Sequence, residues 1–201
     1  MLKLSEDYAP QGSGKIDELR QSLKTILYGK EETIEKTLAV FFAGGHLLLE
    51  GPPGTGKTSL AKALAGFTGG KSSRIQMTSD LLPSDIIGFL RLKPGNMELE
   101  FREGPVFANV LIADELNRTT PKTQGALLEA MEERAVSIDG KTLKLPEPFF
   151  VVATQNPLES HGVYPLAESQ LDRFMALLPF DPPNEKEETG PALFPSAWPT
   201  A

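Results

Sequence analysis

The sequence contains no cysteine and only two histidines, His46 and His161. Disulfides, thiolate nucleophiles and cysteine-ligated zinc or iron–sulfur centres are therefore excluded, and a histidine-rich metal site has too few ligands. No apolar run approaches the roughly 18 residues of a membrane span. The opening stretch MLKLSEDYAPQGSGK lacks the apolar segment of a secretory leader, so a cytoplasmic protein is the expectation. An excess of basic charge is missing too. Twenty Lys and Arg stand against 27 Asp and Glu, and the net charge of -7 argues against a nucleic-acid partner unless a local basic patch overrides it.

What is present is an ordinary globular composition. Hydrophobic residues make up 40% and charged residues 23% of 201 positions, enough for one domain with a substantial core. Ile16, Leu19, Leu23 and Ile26 recur at helical spacing, and a second helix is expected from about Glu32 to Ala43, closed by Gly44-Gly45. HLLLE (46–50), RIQMT (74–78), VLIA (110–113), FFVVAT (149–154) and FMALLPF (174–180) read as strands. Helices are expected after the glycine-rich loop at SLAKALAG and from Pro121 onward. FLRLKPGNMELEFR (89–102) and VSIDGKTLKL (136–145) alternate around turn residues and read as two β-hairpins. Apolar runs alternating with helices predict an α/β fold, a parallel sheet with helices on both faces.

Between the first strand and its following helix lies GPPGTGKT (51–58), a full match to G-x-x-x-x-G-K-[ST] in the context that the motif requires. The glycines let backbone N–H groups converge on phosphate oxygens, and the helix N-terminus adds partial positive charge. The cofactor-binding set is thus Gly51, Pro52, Pro53, Gly54, Thr55, Gly56, Lys57 and Thr58, with Ser59 behind them. Lys57 is placed to reach the β- and γ-phosphates, and the Thr58 hydroxyl to ligate Mg²⁺.

A second signal is NVLIADELNR (109–118), where two adjacent carboxylates end an apolar strand. In a doubly wound sheet the C-terminal strand ends share one crevice. Asp114 is then expected beside Thr58, holding Mg²⁺, and Glu115 is expected to face the γ-phosphate and orient or deprotonate the attacking water. The strand FFVVATQNP ends in polar Thr154, Gln155 and Asn156 at the same level, where one side chain is expected to sense the γ-phosphate.

GGHLLLEGPPGTGKTSLAKALA, GPVFANVLIADELNRTTPKTQGALLEAMEER, FFVVATQNPLE and ESQLDRF together resemble the MoxR family of AAA+ ATPases over about residues 15–180. The resemblance implies a three-layer αβα P-loop NTPase core with a five-stranded parallel sheet. It implies that Lys57 and Thr58 belong to Walker A, Asp114 and Glu115 to Walker B, and that Asn156 is sensor 1. Arg173 becomes an arginine finger reaching the neighbouring subunit, although from the residues alone it could equally pair locally with Asp172. Arg118 is a second candidate for an inter-subunit contact. ILYGKEE (26–32) matches the segment lining the adenine pocket, so Tyr28 and Gly29 are candidates to touch the base, with a plain helix-to-helix turn as the alternative.

The hairpins match the helix-2 insert and the pre-sensor-1 hairpin, which in such ATPases face the central pore and the client. The family further implies ATP and Mg²⁺ as cofactors, a ring (a hexamer by analogy) and a protein client, with a von Willebrand A domain protein as a possible partner. A nucleic-acid motor fits less well. The hairpins' Arg91, Lys93, Arg102, Lys141 and Lys144 are interspersed with Glu98, Glu100, Glu103 and Asp139, which is no basic stripe.

Three segments are expected: an N-terminal arm (1–14), an AAA+ core (15–180) and a proline-rich tail (181–201). The tail, DPPNEKEETGPALFPSAWPTA, reads as a linker or disordered end, with a docking peptide around Trp198 as the alternative. It does not read as the helical lid with a sensor-2 arginine that relatives carry. A lid-less unit that binds ATP but turns over poorly is therefore the alternative to a competent ATPase.

Overall fold

The computed structural model describes residues 13–27, 29–51, 57–95, 98–156 and 162–180, without the side chains of Ser13, Ile26, Lys57 and Thr58. The expected arm up to residue 12, the tail from 181 with Trp198, Tyr28, His161 and the loop residues 52–56 lie outside the described residues.

In chain order the elements are α1 (Ser13–Ile26), α2 (Glu31–Phe42), β1 (Leu47–Glu50), α3 (Lys57–Thr68), β2 (Ser72–Gln76), α4 (Pro83–Ile87), β3 (Gly88–Leu92), β4 (Leu99–Glu103) and β5 (Val110–Asp114). A 3₁₀ turn (Leu116–Arg118), α5 (Pro121–Glu133), β6 (Ala135–Ile138), β7 (Lys141–Lys144), β8 (Phe150–Gln155), α6 (Glu168–Leu171) and β9 (Ala176–Pro179) follow. Five strands form one parallel sheet in the order β2-β5-β8-β1-β9. The order is the αβα arrangement expected from alternating apolar runs and helices, because strands covered on both faces must be apolar throughout. Leu47, Leu48 and Leu49 of β1 are fully buried, as are Val110, Leu111 and Ala113 of β5.

Alternation along the strands divides the core in two. Leu47, Leu49, Val110, Ile112 and Val152 pack with α1, α2 and α3 through Leu19, Leu23, Ile34, Leu38, Leu60 and Leu64. Leu48, Leu111, Ala113 and Val151 pack on the opposite face with Ile86, Leu127, Leu128 and Met131 of α4 and α5. Leu49→Ala would cost about 2–5 kcal/mol, the usual range for a truncation in a packed core.

Helix ends follow their sequence signals. Glu31 and Glu32 stand in the first turn of α2, where the helix dipole favours acids. The helix closes through left-handed Gly44 (φ 72), with the Gly45 N–H bonded to Val40 O at 3.0 Å. Pro121 opens α5 at a position whose N–H would have no helical partner.

Both hairpins form, as two-stranded antiparallel pairs apart from the main sheet. Asp139 (φ 52) and Gly140 (φ 75) carry the second one round its two-residue turn, which matches the Asp-Gly signal.

Several boundaries differ from those expected. The strand expected at 74–78 is Ser72–Gln76, because its partner β5 ends at Asp114, opposite Gln76. Met77 keeps one bond to Asp114 O at 2.8 Å before the chain leaves the ladder. The last strand is shorter than 174–180, covering Ala176–Pro179. Ser13 and Gly14, expected in the arm, already belong to α1. The short helices α4 and α6 and the 3₁₀ turn were not expected, since elements of three to five residues carry no readable period.

Candidate functional site

The C-terminal ends of β1, β5 and β8 meet at one edge of the sheet. Glu50 is in register with Gln155 on one side and Pro179 on the other. The Gln155 amide donates to Glu50 Oε1 at 3.1 Å, and Gly51 N–H donates to Gln155 O at 3.1 Å. Phe180 N–H donates to Glu50 O at 2.6 Å. A Cβ at position 51 would lie 2.2 Å from Phe180 O, so the first glycine of the phosphate loop is required by this close approach alone. From Gly51 the chain passes through residues 52–56 into the N-terminus of α3 at Lys57. Gly29, between α1 and α2, adopts a left-handed φ of 75°.

Asp114 and Glu115 end β5 in different ways. Asp114 shares its face of the strand with Val110 and Ile112, which pack against α3, so its carboxylate lies on the α3 side of the sheet. It is only 8% exposed. Its Oδ2 accepts from Arg74 Nε at 2.6 Å.

Glu115 sits in the left-handed region, φ 58° and ψ 50°, at the start of the 3₁₀ turn. Such a conformation costs a non-glycine residue roughly 1–2 kcal/mol and persists only where the surroundings enforce it. Here the enforcement is visible. Glu115 N–H donates to the Thr154 hydroxyl at 2.9 Å, and Arg118 N–H donates to Glu115 O at 2.8 Å. The buried Gln124 amide donates to Leu116 O, Thr119 O and Tyr164 O at 3.0–3.2 Å, which ties the turn to α5 and to the segment before α6. The Glu115 carboxylate accepts from Gln76 Nε2 at 2.6 Å and lies 3.3 Å from Arg118 Nη1.

Asn156 follows β8 directly, and its carbonyl accepts from Asn117 Nδ2 at 3.3 Å. Thr154 is buried and spends its hydroxyl on the Glu115 turn. Arg173 stands just beyond α6. Its Nη2 pairs with Glu132 of α5 at 2.7 Å and its Nη1 donates to Ser169 O at 2.8 Å. The described ion-pair partner of Arg173 is thus Glu132, not the neighbouring Asp172 that the sequence offered.

The family described as "ATPase family associated with various cellular activities (AAA)" matches residues 46–176. The protein named Chaperone MoxR1 from Mycobacterium tuberculosis is 48% identical over 166 residues, covering 83% of this chain and 44% of that protein. The chain belongs to the MoxR family of AAA+ ATPases. Bacillus subtilis YeaC is 50% identical over 168 residues, covering 84% of this chain and 52% of its own length. A crystal structure of a candidate ATPase from Cytophaga hutchinsonii superposes with a TM-score of 0.75 at 40% identity, over 87% of this chain and 53% of that one. The chain spans about half the length of the relatives that it matches.

For a MoxR-type core the sequence motifs located the strand ends but missed what the neighbouring elements bring to them. Arg74 and Gln76 of β2 hold the two acids, and Glu132 holds Arg173. A usable signal existed for the first two. They flank the buried Ile75 at i and i+2, which puts both side chains on one face of an edge strand.

Proposed function

We propose that this MoxR-type core binds ATP with Mg²⁺ in the crevice between Gly51, α3 and the β5 end and hydrolyses it to ADP and phosphate. The observation that carries this reading is the acid pair. Asp114 lies on the α3 side and pairs with Arg74, whereas Glu115 leaves the strand in a left-handed conformation and its carboxylate meets Gln76 and Arg118. Adjacent carboxylates held by different partners suit two tasks, one for a metal and one for a proton.

A metal fits the residues present. Among the described residues no group of three or more His, Cys, Asp or Glu gathers as a cage. A single buried carboxylate completed by a hydroxyl, phosphate oxygens and water is the usual setting of Mg²⁺. Asp114 and Thr58 would hold it, and when bound it supplies positive charge to the phosphate oxygens. The phosphate-loop residues 51–58, with Ser59 behind them, cradle the phosphates, and Lys57 adds its charge. Glu115 accepts a proton from the attacking water. Asn156 positions that water and the γ-phosphate. Tyr28 and Gly29 border the base.

Arg173 and Arg118 are then the groups that act across a subunit boundary in a ring, for which a hexamer is the expected size. The client is a protein, with a von Willebrand A domain protein as a possible partner. Exposed Phe89, Leu92 and Leu99 on the first hairpin support an apolar client contact, and Leu92 and Leu99 stand opposite each other as a cross-strand pair.

A second reading is favoured by a specific observation. In a single chain Glu115 is held by Gln76 and Arg118, and Arg173 by Glu132. An isolated subunit on this reading binds ATP but turns it over slowly until a neighbour assembles. Steady-state Mg·ATP hydrolysis against protein concentration tests the pair of readings. A specific rate that climbs with concentration supports completion of the site by a neighbour, whereas a flat rate equal to that of Glu115→Gln, with ATP bound, supports the binding module.

A further inference from the structure

Asp114 is only 8% exposed, and a charge buried to that degree is costly unless a counter-charge or strong hydrogen bonds compensate it. Among the described residues that counter-charge is Arg74. The two residues are not directly opposite. Arg74 is in register with Ile112, and Asp114 with Gln76, so the Arg74 side chain leans forward along the strand to reach the crevice. The pair is lopsided in exposure: 57% of the Arg74 side chain faces water but only 12% of the Asp114 side chain does. When the pair opens, the guanidinium swings into solvent at little cost, while the acid stays in place and needs another cation.

We propose that Arg74 is a built-in competitor for the metal, a guanidinium that occupies Asp114 and must leave before a divalent cation binds there. The inference rests on Asp114 being a metal ligand. Arg74 then lowers the metal affinity of the site and keeps the buried acid compensated whenever no cation is bound. It also connects metal binding to β2, because Gln76, two residues on and on the same face, holds Glu115. A metal that displaces Arg74 acts on the strand whose end restrains the proton acceptor.

The test is a Mn²⁺ titration of the full 201-residue chain, followed by the EPR signal of the free ion, so that no turnover enters the readout. Wild type is compared with Arg74→Gln, Arg74→Lys and Asp114→Asn, each checked for an unchanged far-UV CD spectrum. Arg74→Gln should bind Mn²⁺ about two- to fivefold more tightly, the scale expected when a half-exposed ion pair no longer competes. Arg74→Lys, which restores a cation, should return the affinity toward wild type. Asp114→Asn should weaken binding. Unchanged or weaker binding in Arg74→Gln, alongside weaker binding in Asp114→Asn, would overturn the competitor role alone. Unchanged binding in Asp114→Asn would remove the metal-ligand reading and this inference with it.

Discussion

The side-chain amide of Gln76, the last residue of β2, donates to the carboxylate of Glu115 at 2.6 Å across the end of the sheet. The same carboxylate lies 3.3 Å from Arg118 Nη1, so two side chains hold it away from a free orientation. Loss of the amide should free the Glu115 side chain to face the nucleotide. Gln76→Ala is therefore expected to raise ATP hydrolysis per bound nucleotide about threefold to tenfold, a fraction of the usual worth of a hydrogen bond to a charged group because Gln76 is exposed. Single-turnover hydrolysis checks it, and a fall in rate would mean that Gln76 orients Glu115 rather than restrains it.

Arg173 makes a different prediction, because its pairing with Glu132 lies within the chain. If it acts on a neighbour's γ-phosphate, Arg173→Ala should bind ATP with wild-type affinity and hydrolyse it about 10³-fold more slowly or worse. Mixing Arg173→Ala with Glu115→Gln should recover activity, since each supplies what the other lacks at a shared boundary. A mixture as inactive as its parts would count against the trans role.

Gly51 separates folding from phosphate binding. A Cβ there would press on the Phe180 carbonyl, which is backbone and cannot swing aside. Gly51→Ala should destabilise the chain by about 3 kcal/mol, at the upper end of ordinary point mutations. The loss should appear in urea unfolding with no nucleotide added. Full stability together with lost nucleotide binding would instead assign the glycine to the phosphates.

His46 gives stability a pH dependence. Its ring is buried between strand and helix, with Nδ1 accepting from Val151 N–H at 3.1 Å and Nε2 3.2 Å from Met131 O, the geometry of a neutral imidazole donating through Nε2. Burial pushes its pKa down to about 4, and nearby Arg134 acts in the same direction against the opposing pull of the Met131 carbonyl. The unfolded chain, with an ordinary value near ~6.5, binds a proton more readily than the folded one. The His46 contribution is thus fully present above about pH 6.5 and is lost as pH falls toward 4, up to about 3 kcal/mol in all. Urea midpoints at pH 5 and pH 7 measure it, and His46→Gln should flatten the difference. An unchanged slope in that variant would place the pH dependence elsewhere.

Much of this was legible in the residues. Three leucines in a row between glycines made β1, Asp139-Gly140 made its turn, and the acids after VLIA stand where the apolar run of β5 ends. What stayed hidden was pairing across the sheet. Whether Arg74 meets Asp114 depends on the register of β2 with β5, and that register is fixed by contacts 38 residues apart, such as Lys71 N–H to Asn109 Oδ1. The bond between Arg173 and Glu132 likewise depends on how the turn after α6 lies on α5. Motifs name the groups that face a ligand, while the groups that hold them appear only with the packing.

The central claim is that Glu115 activates water while Asp114 and the phosphate loop bind Mg·ATP. The most direct measurement is paired: ATP affinity and steady-state hydrolysis for wild type and Glu115→Gln at a protein concentration where wild type turns over. Unchanged affinity is expected, with hydrolysis reduced about 10²–10⁴-fold, the usual contribution of a general base. Normal turnover in Glu115→Gln would contradict it.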